Sequence, residues 1–102
     1  MYVKVHDAGA KKILAVCDEE LLGSQFEEGG LVLDLATYAS FYAGEKVGGR
    51  DAEAIVREAA ACADSLNIVG KKSVALAVRL GLAGKSDVRR IKGVPHVQVY
   101  RI

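Results

Sequence analysis

The sequence predicts an α+β fold in one small domain spanning 1-102, with an N-terminal β-hairpin and further strands forming a mostly antiparallel sheet, two helices in the second half, and a C-terminal strand returning to the sheet. Three observations carry that prediction. Strand-type alternation and glycine-marked turns fill the first third of the chain, helical periodicity sets in only near Asp51, and the last nine residues alternate again. The length, 102 residues, suits a single modest core.

The elements follow in order. MYVKVHD sets Val3 and Val5 on one face against Lys4 and His6 on the other; AGAKK turns the chain, and ILAVC (13–17) makes the second strand of a hairpin. CDEELLG reads as a short helical turn or strand end stopped by Gly23, and EEGG as a turn into the strand LVLDL. TYASFYAGEKVGG mixes aromatics with glycines, has no clean period and reads as irregular.

Asp51 is the expected cap of a helix whose apolar positions Ala52, Ile55, Val56, Ala59, Ala60 and Ala63 follow the i, i+3, i+4, i+7 spacing. SLNIVG is a short strand or linker. KKSVALAVRLGL makes a second helix, apolar nearly all round except for Lys71, Lys72 and Arg79, and therefore expected to be deeply buried. SDVRRI is a brief strand, and VPHVQVYRI closes the chain with Val94, Val97, Val99 and Ile102 as its apolar positions. Pro95, the sole proline, cannot donate to a ladder, so VPH is expected to be the structural mouth of the terminal strand, with His96 free of metal.

Composition narrows the setting. Residues are 51% hydrophobic and 26% charged, which is ordinary globular usage. Charge-free stretches such as LATYASFYAG fall short of the roughly 18 apolar residues of a membrane helix, and MYVKVHD reads as a strand rather than a secretory segment. The expectation is a cytoplasmic protein with no membrane association. Cys17 and Cys62 form no metal-binding spacing and read as reduced thiols. One asparagine, two glutamines and one methionine point to a thermophile.

The charges are divided along the chain. Residues 1–70 hold six basic residues against twelve acidic ones, a net charge of −6; residues 71–102 hold eight basic residues against Asp87 alone, a net charge of +7. Clustered lysine and arginine create a local positive field whatever the total, and so favour an anionic partner. The competing reading lays the basic segment against the acidic one within the same fold.

Two stretches invite a nucleotide-binding reading. GLAGKSD contains GKS, but Arg79 stands where a phosphate loop needs its first glycine, and the helix precedes the GKS instead of following it. That reading is rejected. NIVGKKS sets Gly70 and two lysines at a helix start, where free N–H groups face an anion, but a lone glycine and a lysine pair are common. Acid pairs Glu19-Glu20 and Glu27-Glu28 lack the ligand periodicity of a calcium loop. His6, His96, Cys17, Asp18, Glu19 and Glu20 are the only plausible catalytic set, and a Cys/His pair within it would require a histidine within reach of the Cys17 thiol.

The blocks MYVKVHDAG, CDEELLG, FEEGGLVLDL, FYAGE, NIVGKKSVALA and GVPHVQVYRI resemble, in order and from end to end, an archaeal family of proteins catalogued as domain of unknown function 424. The resemblance implies a small stand-alone archaeal α+β protein encoded beside translation genes. It carries over no catalytic or ligand residues.

The resulting expectation is a non-catalytic binding module for RNA or the ribosome, with Lys71, Lys72, Lys85, Arg89, Arg90, Lys92 and Arg101 as nucleic-acid-binding residues and with no cofactor or metal. The alternatives are a small enzyme or ligand-binding protein using His6, Cys17, Asp18 and His96, and an oligomeric adaptor for protein partners.

Overall fold

The computed structural model describes residues 1–101, so the expectation placed on Ile102 lies outside the described residues. Strand β1 (Tyr2–Ala8) and β2 (Lys11–Cys17) form the expected hairpin, Tyr2 facing Cys17 and Ala8 facing Lys11. After a 3₁₀ turn at Glu19–Leu21, β3 (Gln25–Glu28) and β4 (Leu31–Asp34) fold back as a separate two-stranded sheet. A short helix α1 (Ala39–Tyr42) and β5 (Glu45–Lys46) precede helix α2 (Gly49–Ala61). Strand β6 (Ser65–Val69), helix α3 (Lys71–Arg79), a 3₁₀ turn at Lys85–Asp87, β7 (Arg89–Ile91) and β8 (Val94–Tyr100) complete the chain.

The main sheet has the order β5-β1-β2-β6-β8-β7, antiparallel except where β6 runs parallel to β2. That parallel pair sits at the centre, and its strands are the most buried. Leu14 and Val16 lie beside Leu66 and Ile68 on one face, each at most 1% exposed. Both helices cover this face. Ala52, Val56 and Ala60 of α2 and Val74, Leu76 and Ala77 of α3 join Val3 and Val97 in one core. Each large aliphatic side chain buried there contributes about 2 kcal/mol relative to exposure.

The opposite face is covered over only part of its area. Cys17 and Val69 pack there against Leu35, with Leu33, Phe26, Tyr42 and Val94 around them, so that β3–β4 and α1 shield one end of the sheet. His6 fastens α1 to β1: its ring stacks on Phe41 at 4.2 Å and Nε2–H donates to the Phe41 carbonyl at 2.7 Å. Lys4 Nζ donates to Ser40 O at 2.6 Å. These two links give TYASFYAG a helical turn that its sequence lacks the period to announce.

Three expectations change in detail. Asp51 is not the cap of α2; Gly48 is, and Asp51 lies in the first turn, where its negative charge complements the helix dipole. Helix α3 is not buried all round, because Lys71, Lys72, Ala75 and Arg79 face outward while Ser73, Val74, Leu76 and Ala77 face the sheet. SLNIVG is a full central strand followed directly by that helix.

Candidate functional site

Asp18 follows β2 and stands at the N-terminus of α3, where the sequence invited an external anion. Its carboxylate is 2% exposed and accepts from Lys72 N at 3.0 Å, Ser73 N at 2.7 Å and Ser73 Oγ at 2.6 Å. An internal carboxylate thus satisfies the first free N–H groups of the helix, the task a bound phosphate performs elsewhere. NIVGKKS is therefore a closed structural latch, and Lys71 and Lys72 point from it to the surface.

The histidines and the thiol of the catalytic set are not brought together. His6 faces Ile13, four residues along β2 from Cys17, or about 13 Å at strand rise. His96 faces Val69, which in turn faces Cys17, two strand spacings or about 10 Å away. Cys17 is completely buried, donates its thiol to Asp18 O at 3.3 Å, and has its pKa pushed up to about 12 by burial and by the charges of Asp18 and Glu20. His96 has its pKa lowered by burial and by the neighbouring Arg89, which keeps the ring neutral at pH 7.

The VPH corner is structural. Pro95 O accepts from Gly70 N at 2.8 Å, and the Gly70 carbonyl accepts from Val74 N at 2.9 Å, so both Gly70 groups are paired without the N–H that Pro95 lacks. Ahead of it, Lys92 and Gly93 take φ of 52° and 75°, the geometry of a tight two-residue hairpin turn between Ile91 and Val94.

The basic third supplies a surface of one charge. A groove of about 600 Å³ runs between α3 and the β7–β8 hairpin, with Lys71, Arg79, Lys85 and Arg90 around a floor of Val74, Val78, Val88 and Pro95. Among the described residues no acidic one lines it. Lys92 and Lys71 border a neighbouring hollow that also holds Glu20, whereas Lys72 faces another beside Glu19 and Lys46. Arg89, one residue before Arg90 on an edge strand, projects to the opposite face beside His96. Arg101 is committed elsewhere: its guanidinium donates to the carbonyls of Ala60 and, at 3.1 Å, Ala63, closing the C-terminus of α2.

Among the described residues one ion pair joins the basic third to the acidic half, Arg79 with Glu53 at 3.6 Å, and it is exposed. The internal-neutralisation reading thus accounts for a small part of the segment's charge. Arg79 is the groove cation absent from the expected nucleic-acid-binding set, since a helix-terminal arginine carries no positional signal until the hairpin is folded against it.

No helix among the described residues is long and apolar enough to cross a membrane. The family model described as "Protein of unknown function (DUF424)" matches residues 5–102. Among solved structures, the chain is similar to an uncharacterized conserved protein from Methanopyrus kandleri: identity is 30%, 99% of this chain and 90% of that one are covered, and the TM-score is 0.83. No curated protein matches the sequence.

Proposed function

The chain belongs to the DUF424 family, and from its surface chemistry we propose that it binds RNA, as a module without catalytic activity, through the groove between α3 and the β7–β8 hairpin. The observation that carries this reading is the convergence of Lys71, Arg79, Lys85 and Arg90 on one groove with an apolar floor and no acidic lining. A strip of one sign suits a repeating anionic polymer, whereas a protein partner is met by interspersed charges and a larger apolar centre. Valine and proline side chains between the cations offer sugars an apolar bed while the guanidinium and ammonium groups hold phosphates.

Each phosphate neutralised on a single strand makes log affinity fall by about 0.7 per log unit of salt. Replacing Lys71, Arg79, Lys85 and Arg90 together by glutamine is therefore expected to flatten the salt slope by about three units at most, with the circular-dichroism spectrum unchanged. All four lie at the surface, and the exposed Arg79–Glu53 pair contributes little to stability. Fluorescence anisotropy with an unstructured ribo-oligonucleotide across a salt series measures the slope. A folded quadruple variant binding like the parent overturns the reading.

A further inference from the structure

The uncovered half of the second sheet face carries a cleft separate from the basic groove. Asn67 of β6 and Gln98 of β8 are register partners on that face, so their amides stand side by side, with Cβ atoms about 5 Å apart. The next strand contributes Ala15 opposite Asn67, a side chain too short to reach either amide. Strand β4 and the aromatic residues Tyr38, Phe41 and Tyr42 form the wall of a cleft of about 540 Å³, within the usual range of small-ligand sites.

The two amides are uncommitted. Neither takes part in a side-chain hydrogen bond among the described residues, and no buried side-chain polar atom lacks a partner, so both amides open onto solvent in the cleft. Phe41 is held by His6 and Tyr42 packs into the small core, but Tyr38 is 62% exposed and free to stack on a planar ligand. Gln98 also borders a hollow lined by Arg89, His96 and Asp87, which places a guanidinium, one of whose groups donates to Ser86 O at 3.2 Å, on the Gln98 side of the amide pair.

We propose that Asn67 and Gln98 read an unpaired adenine, stacked on Tyr38, with its phosphate held by Arg89. An amide side chain matches the adjacent acceptor and donor on an adenine edge, and aromatic stacking is how proteins hold splayed-out bases. Arg89 and Arg90 alternate across edge strand β7, so a strand whose phosphates lie in the groove reaches the cleft by crossing that edge. The proposal rests on RNA binding at the groove and adds to it the identity of a base.

Asn67 is the only asparagine beside two glutamines, Gln25 and Gln98, so the ¹⁵N correlation spectrum holds three side-chain NH₂ pairs, and the one lost in Asn67→Ala is the reporter. Titration with AMP is expected to move that pair more than titration with GMP, CMP or UMP, and ribose 5-phosphate is expected to leave it in place. Anisotropy with decamers of rA and rU is expected to show a preference for rA that falls about tenfold in Gln98→Ala, an exposed position where folding is not at risk, and likewise in Asn67→Ala. Tighter binding of the rA decamer than of AMP at equal salt identifies RNA, and not a free nucleotide, as the source of the base.

The two readings fail differently. Equal, steeply salt-dependent binding of both decamers, with an unmoved Asn67 signal, overturns the base site and leaves the groove. An Asn67 signal moved by AMP, with decamers that bind without salt dependence, overturns the groove and leaves an adenine site. An Asn67 signal that responds equally to all four nucleotides also overturns the adenine assignment.

Discussion

Gly70→Ala is expected to destabilise the protein by about 4 kcal/mol, the sum of backbone strain and overpacking in a tight core. Gly70 has φ of 108° and ψ of 156°, a region that only glycine occupies readily. A Cβ built there would fall inside 3 Å of Cγ, Oδ2 and Cβ of Asp18. Relief by movement is blocked, since Asp18 is fixed by Lys72 N, Ser73 N and Ser73 Oγ. For a domain of this size each kcal/mol lowers Tm by about 4 to 8 °C, so the midpoint should drop by about 16 to 32 °C.

Asp18→Ala removes the partner of two buried donors on Ser73 and is expected to cost about 3 kcal/mol. In that background the clashes with Cγ and Oδ2 are gone, while the close approach to Cβ of residue 18 and the backbone strain remain, so the double variant should lose less than the sum of the single losses. Urea unfolding of the four proteins measures the coupling. Additive losses, or a Gly70→Ala cost below about 1 kcal/mol, the low end of what backbone strain alone would impose, contradict the latch.

Cys17 is expected to react with a thiol reagent at least about a thousandfold more slowly than Cys62. The thiolate is the reacting species, and raising the pKa from 9.0 to about 12 lowers its population at neutral pH by about that factor before burial is counted. Cys62 is exposed and serves as the control within the same molecule. Site-resolved mass spectrometry of a labelling time course reads both rates. Comparable rates, or fast labelling of Cys17 abolished by His96→Ala, would restore the catalytic constellation.

The same shift has a consequence for stability. Below pH 9 the thiol is protonated in both states and the full stability is present. Between about pH 9 and 12 the unfolded chain releases the Cys17 proton while the folded chain retains it, so stability falls as pH rises.

What the sequence determined by itself is what local patterning controls. Alternation at Val3 to His6, the turn at Gly9 and the run ILAVC define the first hairpin, and the spacing from Ala52 to Ala60 defines the buried face of α2. The split of charge between the two halves was legible as well, being a matter of counting. Tertiary structure alone decided which of those charges share a surface. Lys71 and Arg79 lie on α3, Lys85 on the following turn and Arg90 on β7, and only the folding of the β7–β8 hairpin beside α3 gathers them, while it sends Arg89 to the other face and Arg101 to the end of α2.

The latch shows the limit most clearly. NIVGKKS has the local features of an anion site, and the anion is present, but it is Asp18, more than fifty residues earlier and delivered by the parallel pairing of β2 with β6. The amides of Asn67 and Gln98 meet for a related reason, as cross-strand neighbours from segments about thirty residues apart. Local spacing determines which way each side chain faces along its own strand or helix, and strand pairing determines what stands opposite it, so the elements were readable one at a time and the sites were not.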